Sequence, residues 1–408
     1  MKILHVYEKP VPLEEAHASA GGGVHSYLRA LCGGLEQRGC RIATVRFVRR
    51  GSEQERREGP HYVLGSSSIR PSPGTRRALE QVLEREAPDV VHLHSLFYAI
   101  GPGLLGWLAR SAPVVCRLHE VSPLCFWRTR VMSSGRLCDR AVGLGCLTSG
   151  CYRVGGAGEP LPDLVRIAVH GGHLEAYRRL PLLIVPSRYL LEQLRINRFP
   201  LERVRVVPHP TPFAPAAPGP EADPGLVLFV GRLTAEKGVG VLLDALERLR
   251  APRWQAAIVG DGALAGELAR RVEAAGLGAR VRLTGALDRA ALADHYRAAS
   301  LVVVPSIAPE SFGLTGLEAL AHARPVVAFP SGGVTEWLED GVTGLLAARG
   351  DAGELAARID RLLADPALRR RLGGNGAELV RRRFGLEAHL DRVLELYAER
   401  RAARAGTP

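Results

Sequence analysis

Leu301-Val-Val-Val-Pro305 and, two residues on, Ala308-Pro-Glu-Ser-Phe-Gly-Leu-Thr-Gly-Leu-Glu-Ala-Leu-Ala321 decide how this chain folds. The apolar run closed by proline reads as a buried strand of a parallel sheet, and Leu314 to His322 has helical spacing. The turn between them therefore sits at a strand's carboxyl end. In an open α/β sheet that edge binds ligands, and a helix start there offers backbone N–H groups to an anion. Ser311, Phe312, Gly313 and Leu314 would supply those groups. Glu318 points back toward the same mouth, while Glu310 hangs from the loop ahead of it. Two carboxylates beside an anion site suit the hydroxyls of a ligand that also carries phosphates. A capped helix with a surface carboxylate on its loop is the plainer alternative.

Outward from this stretch the same alternation continues. Leu226–Gly231, Gln255–Gly260, Val281–Thr284 and Pro325–Phe329 read as strands, and Gly240–Leu249, Leu264–Ala274 and Arg289–Ala298 as helices. Pro208 to Gly225 is too proline-dense for helix or sheet, which predicts an interdomain linker. Upstream, Ile3–Tyr7, Arg41–Phe47, Asp89–His94, Pro113–His119, Leu182–Pro186 and Arg203–Pro208 are the expected strands, with helices at Val24–Gln37 and near Gly74–Glu86. Leu174–Leu180 leads into the Leu182 strand, and Ser187 caps a helix through Arg195. The fold class is α/β: two doubly wound Rossmann-like domains facing one another across a cleft. The boundaries are 1–210, a Pro-rich linker at 211–224, 225–384, and a C-terminal amphipathic helix in 385–408 that is expected to pack at the domain junction.

A chain of 408 residues exceeds one ordinary core, and 46% hydrophobic with 24% charged residues is the composition of a folded soluble protein. The net charge of +12 comes from arginine spread along the chain, clustered at Arg46–Arg57 and Arg381–Arg404. A solvated basic surface, an anionic substrate or peripheral contact with acidic lipid would each account for it. Basic stretches interleaved with aromatics are missing, so nucleic acid is not expected as a partner. The opening Met1-Lys-Ile-Leu-His-Val-Tyr reads as a strand rather than a secretory signal. The least charged window, Val90–Ala109, is broken by His92, His94, Ser95, Gly101, Pro102, Gly103 and Gly106, which excludes a membrane span there. A cytoplasmic location follows as the expectation, with peripheral contact at the inner membrane face possible.

Several further residues carry chemistry. Gly231-Arg-Leu-Thr-Ala-Glu-Lys-Gly238 follows a strand and precedes a helix, so Arg232 and Lys237 can converge on a diphosphate. Gly260-Asp-Gly262 and Gly332-Gly-Val-Thr-Glu336 are glycine turns at strand ends. Gly22 and Gly23, with Gly21 before them, open the first helix and would let a phosphate or sugar approach the backbone. His119 ends a strand, where it would meet a sugar hydroxyl, move a proton or serve as a structural histidine. Cys125, Cys138, Cys146 and Cys151 are separated by twelve, seven and four residues. Four thiolates can bind zinc, but the compact Cys-x-x-Cys pairs of a zinc ribbon are missing, and ordinary loop thiols are the alternative.

Taken together, Gly-Arg-Leu-Thr-Ala-Glu-Lys-Gly from Gly231, Gly260-Asp-Gly262, Glu310-Ser-Phe-Gly-x4-Glu318 and Gly332-Gly-x-x-Glu336 occur in the order found in the retaining glycosyltransferases of family 4, which the chain resembles over nearly its whole length. The resemblance implies the two-domain GT-B fold, with an acceptor-side N-terminal domain and a nucleotide-sugar-binding C-terminal one. It implies a nucleotide-diphosphate sugar donor and a glycan or lipid-linked acceptor in glycan, polysaccharide or glycolipid assembly. Arg232 and Lys237 would bind the diphosphate and Glu318 the ribose. Glu310 and His119 would face the donor sugar, with Gly22, Gly23, Gly260 and the N–H groups of Ser311 to Leu314 lining the donor. Glu120 stands where the family usually has Asp, which leaves that carboxylate without an assigned role. Pro208-His-Pro210 stands where many members have Asn-Gly. The chain has no Asp-x-Asp triplet, so no cofactor and no divalent metal are expected for the diphosphate; positive charge and helix N–H groups would stabilise the leaving phosphate, and domain closure would exclude water. The competing readings are a sugar-nucleotide epimerase on the same fold and a catalytically silent sugar-nucleotide-binding protein. A pyridoxal phosphorylase is disfavoured because the only lysines are Lys2, Lys9 and Lys237.

Overall fold

The computed structural model describes residues 1–8, 22–49, 59–66, 73–96, 100–151, 163–217 and 225–405. Gly21, most of the loop before the first helix, the Arg50–Arg57 part of the basic cluster and linker residues 218–224 lie outside them. The chain forms two compact units.

The first unit holds a seven-stranded parallel sheet of β1 (Lys2–Glu8), β2 (Arg41–Arg49), β3 (His61–Ser66), β4 (Val90–His94), β5 (Val114–Arg117), β6 (Leu183–Val185) and β7 (Val204–Val206) in the order β3-β2-β1-β4-β5-β6-β7. Both faces are covered, which is why β4 and β5 are buried along their entire length. Helices α1 (Gly22–Gln37), α2 (Pro73–Glu86), α3 (Pro102–Ser111), α4 (Asp163–Arg178) and α5 (Arg188–Ile196) connect the strands. Ser187 caps α5 by accepting from the Leu190 N–H, as its sequence position predicts. The core runs from Leu4 and Val6 through Leu93 and Cys116 to Leu190 and Val204. At about 1.5–3 kcal/mol for each fully buried aliphatic side chain, this core is the main source of the unit's cohesion.

The second unit repeats the plan with β8 (Leu226–Val230), β9 (Gln255–Val259), β10 (Val281–Gly285), β11 (Leu301–Val304), β12 (Val326–Ala328) and β13 (Gly344–Leu346), ordered β10-β9-β8-β11-β12-β13. Its helices are α6 (Val239–Leu246), α7 (Ala265–Ala274), α8 (Arg289–Ala298), α9 (Leu314–Ala321), α10 (Ala352–Ala364) and α11 (Pro366–Arg383). Strand order reverses between β8 and β11, which makes their carboxyl ends the crevice where this topology binds ligands.

β3 and the first eleven residues of α4 were not foreseen: the former is a short strand between stretches of polar sequence, and the latter carries Gly171-Gly172, which breaks the helical reading. The described part of the proline-rich segment packs on the second unit. The Ala216 N–H donates to the Ala321 carbonyl, Thr211 N–H to Phe384, and Phe213 packs edge-on against His322, so the segment belongs to the second unit from His209 onward. The last helix, α12 (Leu386–Ala405), starts in the second unit and belongs to the first from His389 onward. Tyr397 meets His92 of β4, and Leu390 fills the space left by Gly34.

Candidate functional site

In the second unit the loop after β8 and the loop after β11 meet across the strand-order reversal. Lys237 Nζ lies 2.7 Å from Glu310 Oε1, and Ser306 Oγ donates to the same oxygen at 2.5 Å. Burial alone would raise the Glu310 carboxyl, but the Lys237 ammonium, the two hydrogen bonds and the Arg232 charge hold it below the usual carboxylate range. The site thus keeps an ionised carboxylate and an ammonium in one contact. Arg232 bonds Glu236 at 3.4 Å and leaves 70% of its side chain exposed, so its guanidinium can swing to an incoming anion at little cost.

Glycines make the loops possible. Gly238 ends the short turn Ala235–Lys237 in the left-handed region, at φ 70°, and a Cβ there would collide with the Pro305 carbonyl oxygen. Gly260, at φ 134°, lies against the Gly231 carbonyl for the same reason, locking the loop after β9 under the loop after β8. The Gly332-Gly333 turn clamps the Glu310 backbone from the other side: the Glu310 N–H donates to the Ser331 carbonyl at 3.3 Å and the Gly333 N–H to the Glu310 carbonyl at 2.7 Å.

Gly313, at φ 83°, caps α9 with no side-chain hydrogen bond to the first-turn N–H groups. Ser311 and Leu314 are half-buried beside it. Phe312 is 1% exposed, and its carbonyl accepts from the Trp337 indole at 2.6 Å, so this residue anchors the turn through packing. The helix start therefore has no side-chain cap, and it follows closely on Glu310, which holds Lys237. The first turn of α1, Gly22 to Tyr27, clusters with this unit, and a Cβ on Gly23 would come within 3.0 Å of Leu314 Cδ1. Glu318 faces inward from α9 and accepts from the Tyr296 hydroxyl at 2.9 Å. Burial pushes its carboxyl up to about 7, against the opposing pull of Tyr296 and Arg289. At neutral pH it stands near half-ionisation, ready to accept from hydroxyls when it loses its proton.

His119 belongs to the first unit, just beyond β5. Its Nε2 lies 3.0 Å from His94 Nδ1, and His94 Nε2 lies 2.9 Å from His5 Nδ1, a chain of three buried imidazoles with the His92 ring tilted against that of His94 at 4.0 Å. The parallel register sets this up, pairing His5 with His92 and Tyr7 with His94. Burial pushes His5 down to about 3, and burial with neighbouring cationic groups holds His92 and His94 well below the usual range. Neutral rings of this kind each donate one N–H, so the chain fixes the His119 ring through His94. Among the described residues, only His5, His92 and His94 bring three potential ligand atoms within 4.8 Å of one another. Both His94 ring nitrogens already serve neighbouring rings, so a metal there would have to break the chain.

Sequence reading missed Ser306, Tyr296, Trp337 and the imidazole chain. Ser306 is signalled by being the first polar residue after a buried strand, and the histidine pair by its period-2 spacing in Val90-Val-His92-Leu-His94. Tyr296 lies at core spacing from Leu292, and nothing in that pattern reveals its hydroxyl's partner. None of the seven cysteines, all of them among the described residues, is in a disulfide.

Comparison with known proteins gives matches over nearly the whole chain. The sequence profile described as "Glycosyl transferases group 1" matches residues 211–379, and "Glycosyltransferase Family 4" matches 21–212. A D-inositol 3-phosphate glycosyltransferase of Xylanimonas cellulosilytica is 30% identical, with 96% of each chain covered. An alpha-D-kanosaminyltransferase of Streptomyces kanamyceticus is 36% identical over 43% of this chain and 46% of its own. Among solved structures, sucrose-phosphate synthase from Thermosynechococcus elongatus superposes with a TM-score of 0.73 at 25% identity, covering 98% of this chain and 99% of the other. Anabaena HepE in complex with UDP superposes with a TM-score of 0.68 at 20% identity, covering 98% and 100%.

Proposed function

The chain belongs to glycosyltransferase family 4 and has the GT-B fold, and on that footing we propose that it transfers a sugar from a nucleotide-diphosphate donor, a UDP- or GDP-sugar, to an acceptor hydroxyl with retention of anomeric configuration. The observation that carries the reading is the Lys237–Glu310 contact beside the open N-terminus of α9, at the reversal between β8 and β11. Breaking a sugar–diphosphate bond builds negative charge on the leaving phosphate. Arg232, Lys237 and the N–H groups of Phe312, Gly313 and Leu314 meet that charge with no metal required. Glu318, ionised, accepts from the ribose hydroxyls. Glu310 orients Lys237 and contacts the sugar. His119, held by His94, hydrogen-bonds a sugar hydroxyl.

The acceptor hydroxyl then attacks from the face the diphosphate leaves, and the departing phosphate takes its proton. A glycan or lipid-linked acceptor suits the basic balance of the chain. No helix among the described residues is long and apolar enough to cross a membrane. The test is incubation with a panel of UDP-, GDP- and ADP-sugars, reading nucleotide release with and without candidate acceptors, and the anomeric coupling constant of the product by proton NMR. A folded protein whose melting temperature no nucleotide sugar shifts would sink the reading.

A further inference from the structure

The segment between His119 and α4 has no part in the donor site, yet it is built around sulfur. Among its described residues, Ser122 to Cys151 form no α-helix or ladder strand, only two short 3-10 turns and isolated bridges pairing Val131 with Leu137 and Met132 with Cys151. Thirty residues without regular structure need another source of order, since loops of that length are uncommon in compact domains. Leu124 reaches the unit's main core, and Cys125, Phe126 and Trp127 form a small satellite cluster with Ile167 of α4, with Val142, Cys146, Leu147 and Cys151 packed against it.

All four cysteines are tied to one turn. The backbone folds over Cys125 through Arg128 and Arg130, both non-glycine residues in the left-handed region, at φ 67° and 57°. That bend aims the Arg130 N–H at Cys125 Sγ, at 3.3 Å. The Cys138 N–H donates to the Arg130 carbonyl at 2.8 Å, and the Trp127 indole to the Cys146 carbonyl at 2.8 Å. Cys151 pairs with Met132. N–H groups directed at sulfur favour a thiolate over a thiol.

Arg130, whose N–H meets Cys125, is itself buried. Its side chain is 2% exposed. Nη1 donates to the carbonyls of Leu124 and Arg140, while Nε and Nη2 have no acceptor, and no carboxylate among the described residues pairs with it. A guanidinium does not shed its proton, so its burial calls for an anion. The Cys125 thiol and the Tyr189 hydroxyl beside it are groups able to become one.

We propose that Cys125, Cys138, Cys146 and Cys151 bind one zinc ion as a tetrathiolate site whose negative charge is partly neutralised by buried Arg130. Binding replaces four S–H protons by one Zn2+, which leaves a net charge of −2 on the four-sulfur complex and releases the protons to solvent. The sulfurs are not drawn within 4.8 Å of one another in threes, so metal binding pulls the loop inward onto Cys125. The filled site is closed and structural, and it pins the chain that leaves β5 at His119.

The test uses the full chain purified in reducing buffer without chelator. One equivalent of zinc per chain by mass spectrometric elemental analysis is expected, released when the thiols are titrated with a mercurial. Cobalt(II) added to the zinc-stripped, reduced protein should give the thiolate-to-cobalt charge-transfer band and tetrahedral d–d bands of a four-sulfur site. Cys138→Ser and Cys151→Ser should each weaken cobalt binding at least tenfold, while Cys32→Ser and Cys40→Ser leave it unchanged. Arg130→Met should keep the band but weaken binding severalfold. Zinc-free protein that also shows no cobalt–thiolate band when fully reduced would overturn the proposal, and the unmodified chain suffices for that reading. None of these readouts depends on glycosyl transfer.

Discussion

The Lys237–Glu310 contact places opposite charges 2.7 Å apart in a partly buried loop pair, with the ammonium 26% and the carboxylate 15% exposed. Removing one partner strands the other. Lys237→Ala is therefore expected to lower kcat/KM by about 10²–10³-fold, since it removes a cation from the developing phosphate charge. Glu310→Gln should cost less in nucleotide affinity than in turnover, because the amide still contacts Lys237 but no longer fixes an ionised group at the sugar. Steady-state kinetics with nucleotide-binding calorimetry separates the two, and equal losses in affinity and turnover for Glu310→Gln would contradict the role given to it. Glu318 yields a pH prediction. With its carboxyl raised to about 7, it gains acceptor character as pH rises through that value. Nucleotide affinity should then rise between pH 6 and 8 and level off above, and Glu318→Gln should flatten the profile. A wild-type profile already flat over that range would remove Glu318 from the ribose.

At the scale of elements, the sheet reversal does the placing, and the glycines permit it. Lys237 and Glu310 are 73 residues apart in sequence but one strand apart in space, because β8 and β11 are neighbours. Gly238→Ala forces a left-handed φ of 70° on a residue with a Cβ and drives that atom into the Pro305 carbonyl. A loss on the order of 2–4 kcal/mol is expected, read as a lowered unfolding temperature with weakened nucleotide binding. Gly240→Ala, two residues on and with only an arginine tip nearby, should be nearly neutral. Much of this was legible in the sequence. Buried parallel strands are near-continuous apolar runs, and strand–glycine–helix junctions announce carboxyl-edge loops, so Gly231 to Gly238 and Glu310 to Glu318 could be read directly. The rest depended on pairing. Nothing local tells that Tyr296 will meet Glu318, that His5 will align with His92, or that the proline-rich segment after His209 will pack on α9 rather than hang free. Those contacts arise from register and packing between segments far apart in the chain, and a single sequence carries only the local half of that information.

At the scale of the molecule, titratable groups divide unequally between the two units. His5, His92, His94, His170 and His389 all belong to the first unit and are all lowered by burial, His5 to about 3 and His170 to about 4. An unfolded histidine takes up its proton near 6.5, so as pH falls below that value the unfolded state of this unit binds more protons than the folded one. Stability therefore drops on acidification, by about 1.4 kcal/mol per pH unit for each such group until its folded pKa is reached. The second unit behaves otherwise. Glu318 keeps its proton in the folded state up to about 7 and loses it near 4.5 when unfolded, so its contribution grows as pH falls from 7 to 4.5, offsetting the loss from the lowered His322. The stabilising effect of the lowered Glu310 carboxyl persists until its own, lower range. Differential scanning calorimetry between pH 7 and pH 5 should consequently show the two unfolding transitions moving apart, the first unit's shifting down steeply and the second's little. His5→Gln, less stable than wild type at pH 7, should lose less between pH 7 and pH 5, because the proton uptake that penalises the folded state has been removed. Equal shifts of both transitions, or the same pH dependence in His5→Gln and wild type, would show that the buried imidazole chain is not what makes the first unit acid-sensitive.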